Sequence, residues 1–128
     1  MKKCTILNSN TFEDHRGTVF SYYDFDEKFV EYNLMITKKG DKRGFHYHPE
    51  FTEYMMVVEG TCLFREYTDE ITEITLNVGD SIRIPQGTPH TFIALTDYKF
   101  VSMLTKKWID CNPPIIKVDE NGNEITSK

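Results

Sequence analysis

Several things are missing from this chain of 128 residues, and each absence closes a possibility. No apolar run approaches the length of a membrane span, and the N-terminus, Met1-Lys2-Lys3-Cys4-Thr5-Ile6-Leu7-Asn8, carries charge without the apolar stretch of a secretory leader. A cytoplasmic protein with no membrane partner is expected. Cysteine is scarce: Cys4, Cys62 and Cys111 are odd in number and lack CxxC spacing, which fits free thiols in a reducing compartment. Positive charge is not in excess either, since the formal net charge is −5 and the lysines and arginines are scattered, so no footprint for nucleic acid exists. Apolar residues at three-and-four spacing are few, and no repeat or low-complexity segment is visible, which excludes long helices and solenoids.

What is present favours strands. Aromatic residues reach 13%, and the length suits one domain with a core of its own. After a polar start ending in the turn-like Asp14-His15-Arg16-Gly17, strands are predicted at 18–23 and 33–37, with the acidic run Asp24 to Glu27 as a solvated or helical turn between them. Two more strands fill the stretch from Gly40 to Gly60, and others follow at 61–67, 71–78, 81–85, 90–95 and 98–105. Many short strands at even spacing predict an all-β barrel or sandwich over residues 1–112. Pro113-Pro114 breaks the pattern, leaving 113–128 as an extension that is either a short hairpin or a flexible tail.

Chemistry concentrates between Gly40 and Gly60. A strand period of two puts His46 and His48 on one face and Tyr47 on the other, while Pro49 and Glu50 read as a turn. Beyond it Glu53, Met55 and Val57 form one row and Tyr54, Met56 and Val58 the opposite row. Pairing these two strands so that Glu53 faces the imidazoles gives three legs of a metal site. His90, after Pro85-x-Gly87, is the candidate for the fourth. Three imidazoles and a carboxylate suit one divalent transition metal among zinc, iron, manganese, nickel and cobalt, and do not choose among them.

Gly40-x5-His46-x-His48-x4-Glu53-x6-Gly60 and Gly79-x5-Pro85-x-Gly87-x2-His90 resemble both signature motifs of the cupin superfamily at every metal-ligand position. The resemblance implies a double-stranded β-helix, or jelly-roll barrel. Ala94 departs from it, standing where the family often has an asparagine that is not a ligand. Two shorter segments, Asp14-x-Arg16-Gly17 and Arg43-Gly44-Phe45-His46, are similar to those of the dTDP-4-dehydrorhamnose 3,5-epimerase group, and the second also to nucleotide-sugar 3,4-ketoisomerases. The run from Arg43 to Gly60 further resembles the zinc-bound C-terminal cupin domain of capsular-polysaccharide synthesis enzymes, which epimerises a keto sugar beside its carbonyl.

These resemblances imply an isomerase or epimerase that removes a proton next to a ketone of a sugar or nucleotide sugar. A base is then required within hydrogen-bond reach. In the metal-independent epimerases the histidine matching His46 is that base, but a metal-bound imidazole cannot take a proton. The alternatives are a metal-free site using His46, or a metallated one using Tyr22, Tyr54 or a bound hydroxide. Arg43, Arg65 and Arg83 are candidates for a substrate phosphate or carboxylate, because guanidinium forks match those groups. A homodimer is expected by resemblance. Two other function classes fit the same ligand set: an iron-dependent dioxygenase and a non-catalytic sugar-binding module.

Overall fold

The computed structural model describes residues 3–7, 9–23 and 25–125. Asp24 of the acidic run and residues 126–128 of the C-terminal extension lie outside them. The chain forms β1 (Thr5–Ile6), β2 (Asn10–Asp14), β3 (Gly17–Ser21), β4 (Glu31–Thr37), β5 (Lys42–Tyr47), β6 (Glu53–Glu59), β7 (Cys62–Tyr67), β8 (Ile71–Leu76), β9 (Ser81–Ile84), β10 (His90–Ala94), β11 (Tyr98–Leu104) and β12 (Ile116–Lys117). A 3-10 turn, Trp108–Asp110, is the one helical element among the described residues. Among the described residues no helix is long and apolar enough to cross a membrane. All three cysteines are free thiols.

The strands make two five-stranded antiparallel sheets, β1-β9-β6-β11-β4 and β12-β5-β10-β7-β8, that face each other as a jelly-roll barrel. Alternation decides what lies between them. On β11 the buried residues are Tyr98, Phe100, Ser102 and Leu104, every second position, and the same period brings Met55 and Val57 inward from β6. Ile82, Ile84 and Phe100 from one sheet meet Phe64, Leu76, Phe92 and Ala94 from the other in one core. Burial of each such large side chain stabilises the barrel by about 1.5–3 kcal/mol.

Two expectations need correction. The strands on either side of Pro49 and Glu50 do not pair as a hairpin. β5 bonds to β10 and β12, whereas β6 bonds to β9 and β11, so the link between them crosses from one sheet to the other. Alternation specifies which face a residue takes but not which strand lies beside it. The polar start also contains two strands that the sequence pattern did not signal: β1 joins the edge of the first sheet, and β2 pairs with β3, the strand expected at 18–23, as a hairpin around His15 and Arg16. Its residues are mostly exposed, without the inward apolar row that marks a barrel strand.

The C-terminal extension adds β12 to the edge of β5, with Ile116 opposite Tyr47 and Lys117 opposite His46. A turn over Asp119–Gly122 then returns the chain so that Glu124 bridges Val118 and its carboxylate accepts the Tyr47 hydroxyl.

Gly44 sets how closely β5 lies on β10. Its φ is 109°, and a Cβ there would stand 2.6 Å from the His90 carbonyl oxygen and 2.8 Å from the Thr91 Cα. Gly40 has φ 89° but open space around its Cβ direction. Gly40→Ala should therefore cost only the backbone term, about 1–2 kcal/mol, whereas Gly44→Ala adds a backbone collision and should cost about 2–4 kcal/mol. Denaturant midpoints of the two variants measure the difference. Equal losses would show that the close approach at Gly44 is not a constraint.

Candidate functional site

The register that places the site is irregular at one point. His90 lies opposite His46 and Thr91 opposite Gly44, so Phe45 is an extra residue on β5. Phe45 has φ 55°, a left-handed conformation that costs a side-chain-bearing residue about 1–2 kcal/mol. It is held by hydrogen bonds from its N–H to Thr91 Oγ1 at 3.1 Å and from the Val118 N–H to its carbonyl at 2.8 Å. Such a bulge re-aims the following side chain. Here that side chain is His46.

His46 and His48 from β5 and its end, His90 from the start of β10 and Glu53 from the start of β6 converge inside the barrel. Three imidazole centroids lie 4.7–5.3 Å apart, and one ring nitrogen from each of the three lies within 4.8 Å of the others. His90 is 0% and Glu53 8% exposed. The carboxylate Oε1 of Glu53 stands 3.2 Å from His48 Nε2 and 3.6 Å from His90 Nε2. Its Oε2 accepts the Ser102 hydroxyl.

Backbone carbonyls decide how two of the rings present themselves. His48 Nδ1 lies 3.1 Å from the Pro114 carbonyl oxygen and His90 Nδ1 lies 2.9 Å from that of Thr88. A carbonyl only accepts, so each Nδ1 carries the hydrogen, and in a neutral ring the lone pair is on Nε2. His48 Nε2 lies within hydrogen-bond distance of Glu53 Oε1 and can donate to it from a ring that carries both hydrogens, whereas His90 Nε2 stands 3.6 Å from the same oxygen. His90 Nε2 is buried without any hydrogen-bond partner. Buried polar atoms in that state are rare and require an explanation.

A cation held by the three imidazoles, with the Glu53 carboxylate beside two of them, would supply one. Two ligand atoms about 2.1 Å from a common ion stand about 3.0–3.4 Å apart in octahedral or tetrahedral geometry, and the Glu53 distances to His48 and His90 fall at or just beyond that range. The donor set fits a divalent transition metal.

Burial also sets the protonation of the donors. His46 is held down at about 3 by burial and then by His90 and His48, against the opposing pull of Glu53. His90 is held at about 4, by burial and then His48, although Glu53 and the Thr88 carbonyl work the other way. For Glu53, burial works against the carboxylate, yet the hydrogen bond and charge of His48, followed by His90 and Ser102, bring the carboxyl to about 2. At neutral pH the site offers unprotonated imidazole at His46 and His90 and an ionised carboxylate, the forms a metal requires.

With this geometry in place, the family model for the cupin domain matches residues 33–104. The chain belongs to the cupin domain family. A comparison with curated proteins finds no match to this cupin. Among solved structures it is similar to a 3,4-ketoisomerase from Helicobacter canadensis, with 17% identity over 91% of this chain and 92% of that one and a TM-score of 0.79. It is also similar to a 3'-monoepimerase from Streptomyces bikiniensis in complex with dTDP-quinovose, with 16% identity over 91% and 70% of the two chains and a TM-score of 0.80. A third is the dTDP-6-deoxy-D-glucose-3,5-epimerase from Legionella pneumophila Philadelphia 1 in complex with dTDP-4-keto-L-rhamnose, with 20% identity, 81% and 67% coverage and a TM-score of 0.70. At these identities the likeness is one of fold.

A cavity of about 330 Å³ opens onto His46, His48 and Glu53 in the seam between β4 and β5, in the size range of small-molecule sites. Arg43 is at its rim, where the guanidinium donates to Thr37 Oγ1 at 2.7 Å and to the Ile36 carbonyl at 2.9 Å. Neither Arg43 nor its neighbour Lys42 has a carboxylate partner among the described residues. The other two candidate arginines are engaged elsewhere, Arg65 with Glu73 and Arg83 with Glu27.

Both candidate tyrosines lie outside the cavity. Tyr54 sits on the opposite face of β6 from Glu53, packed by Phe25 and Phe29, with its hydroxyl between Arg83 and Glu27. Tyr22 is half-buried, with its hydroxyl buried and under the influence of Asp80, and it does not line the cavity. Each is corrected as a candidate base: the strand period turns Tyr54 away, and Tyr22 follows the end of the N-terminal hairpin. Sequence pattern had not singled out Ser102 or Asn33, yet both line the cavity. A lone hydroxyl in the inward row Phe100-Ser102-Leu104 was the available signal for Ser102. The carbonyl contributions of Pro114 and Thr88 carry no sequence signal.

His46 and His90 titrate near 6.5 when unfolded, and folding lowers both. Their contribution is therefore fully present above pH 6.5 and is lost as pH falls toward 4 and then 3. Chelator-treated protein should show a melting temperature that declines steadily from pH 7 to pH 4, and His90→Gln should flatten that decline. A wild-type melting temperature that is constant across this range would contradict the buried, unprotonated state.

Proposed function

We propose that this cupin is a sugar isomerase or epimerase that removes a proton from the carbon beside the carbonyl of a keto sugar or nucleotide sugar, and that His46, His48, Glu53 and His90 hold one divalent transition metal for that purpose. The unpartnered, buried Nε2 of His90 facing the Glu53 carboxylate carries the metal assignment. When bound, such an ion supplies Lewis acidity toward a carbonyl oxygen. The chain's own residues do the rest. Phe51, Phe92, Phe100 and Leu104 line the cavity and exclude water from the reacting end, while Arg43 and Lys42 at the rim offer uncompensated positive charge to an anionic group such as a phosphate. The Ser102 hydroxyl holds Glu53 in place. The fold shared with ketoisomerases and epimerases supports the reaction class by analogy.

A metal-free site in which His46 takes the proton is the second reading. It draws on one observation: among the described residues nothing hydrogen-bonds to the His46 ring, which faces the cavity. Against it stands the basicity of that ring. An imidazole whose conjugate acid is held at about 3 is a weak acceptor for a proton on carbon, and catalytic bases work best near the operating pH. Low basicity toward protons is compatible with binding a metal, so the ligand role is preferred.

Deuterium incorporation from heavy water into a bound keto sugar, read beside metal content, separates these roles. We expect His48→Ala to lose both the metal and the exchange. His46→Asn should lose the metal too if His46 is a ligand, and should keep it while losing exchange if His46 is the base. Exchange that survives in His48→Ala would sink the metal-dependent reaction.

We further propose that the protein is a homodimer of the cytoplasm. Support comes from the outer face of β4, the edge strand of its sheet, where Tyr32, Leu34 and Ile36 are 79%, 60% and 58% exposed in one row. The β2–β3 hairpin is similarly bare, with Phe12 and Val19 exposed and, among the described residues, no third strand beside it. Sedimentation velocity should give twice the monomer mass for the wild type and the monomer mass for Leu34→Glu. A monomeric wild type at tens of micromolar would refute the dimer.

A further inference from the structure

Trp108 is the only tryptophan of the chain, and nothing in the chemistry above uses it. It opens the 3-10 turn after β11, lines the cavity beside His48 and Phe51, and remains 43% exposed at the mouth. Its ring contacts are oblique: 6.3 Å from His48 at 69° and 6.3 Å from Phe51 at 46°. No aromatic ring lies flat on the indole among the described residues. A large planar apolar surface left open at a cavity mouth is a surface that a ligand can cover.

The turn is also fixed in place. The Trp108 backbone N–H donates to Glu31 Oε1 at 3.0 Å, and the other oxygen of the same carboxylate accepts Asn33 Nδ2 at 2.9 Å. One side chain of β4 thus ties the tryptophan turn across the seam and orients a cavity-lining amide. Around the rim the sequence of surfaces is an indole, an amide and two unpaired cations, Lys42 and Arg43. A pyranose ring has complementary chemistry, with C–H groups on one face and hydroxyls around its edge, and a phosphorylated substituent would meet the cations.

We propose that Trp108 is a substrate-binding residue whose indole packs against the C–H face of a pyranose ring, pre-positioned by Glu31. The proposal rests on the sugar reading given above and names the contact that holds the sugar ring. The test uses dTDP-glucose, which carries no ketone, with calorimetry and intrinsic fluorescence read in parallel. Because Trp108 is the sole tryptophan, fluorescence should change saturably with the same midpoint as the heat. Trp108→Ala should weaken binding about tenfold or more, Trp108→Phe by no more than about threefold, and the metal content of both should equal that of the wild type. Heat of binding with unchanged fluorescence, or wild-type affinity in Trp108→Ala, overturns the role of Trp108 and leaves the sugar reading standing. Absence of dTDP-glucose binding by both readouts together overturns both.

Discussion

A buried carboxylate that meets two imidazole nitrogens across the gap between the sheets is the constraint on which this barrel depends. Glu53 comes from one sheet and His48 and His90 from the other, so their approach fixes the separation and register of the two layers at that end. With its Nδ1 committed to the Thr88 carbonyl, the unprotonated His90 ring has no hydrogen to offer at its inward nitrogen. Acceptors gathered in a low-dielectric interior repel unless a positive charge joins them. The surrounding structure maintains the arrangement: a bulge at Phe45 in a left-handed conformation, a glycine without room for a Cβ, and a hydroxyl fixing the second carboxylate oxygen.

Much of this was legible in the sequence because the relevant rules are local. A strand period of two put His46 and His48 on one face, and turn residues delimited nearly every barrel strand within a few positions. His90 could be named because the Pro85-x-Gly87-x-x-His90 spacing is part of a longer pattern. The same period already set Tyr54 opposite to Glu53, so its place outside the cavity was implicit. What stayed hidden depends on contacts between distant segments. Pairing partners are not encoded in alternation, and β5 and β6 therefore read as a hairpin although they belong to different sheets. Pro114 reads as a chain breaker, yet its carbonyl, brought beside His48, is what orients that ring.

The division of labour between motif and flanks bears on function. The cupin family model spans 33–104 and contains all four donor side chains. Residues outside it supply the Pro114 carbonyl and Trp108, the latter lining the cavity at its mouth. Donor chemistry is therefore a property of the common core, whereas the orientation of His48 and part of the cavity wall belong to the C-terminal segment. Differences among relatives of this fold in what they bind can arise there without any change in the four donors.

Whether His46, His48, Glu53 and His90 together hold one metal ion is tested by a metal titration of chelator-stripped protein at neutral pH. Zinc and ferrous iron should each bind at one ion per chain, and Glu53→Gln, which keeps the shape of the side chain but removes its charge, should bind at least about a hundredfold more weakly. No binding by the wild type at micromolar metal, or equal binding by Glu53→Gln, would contradict the account.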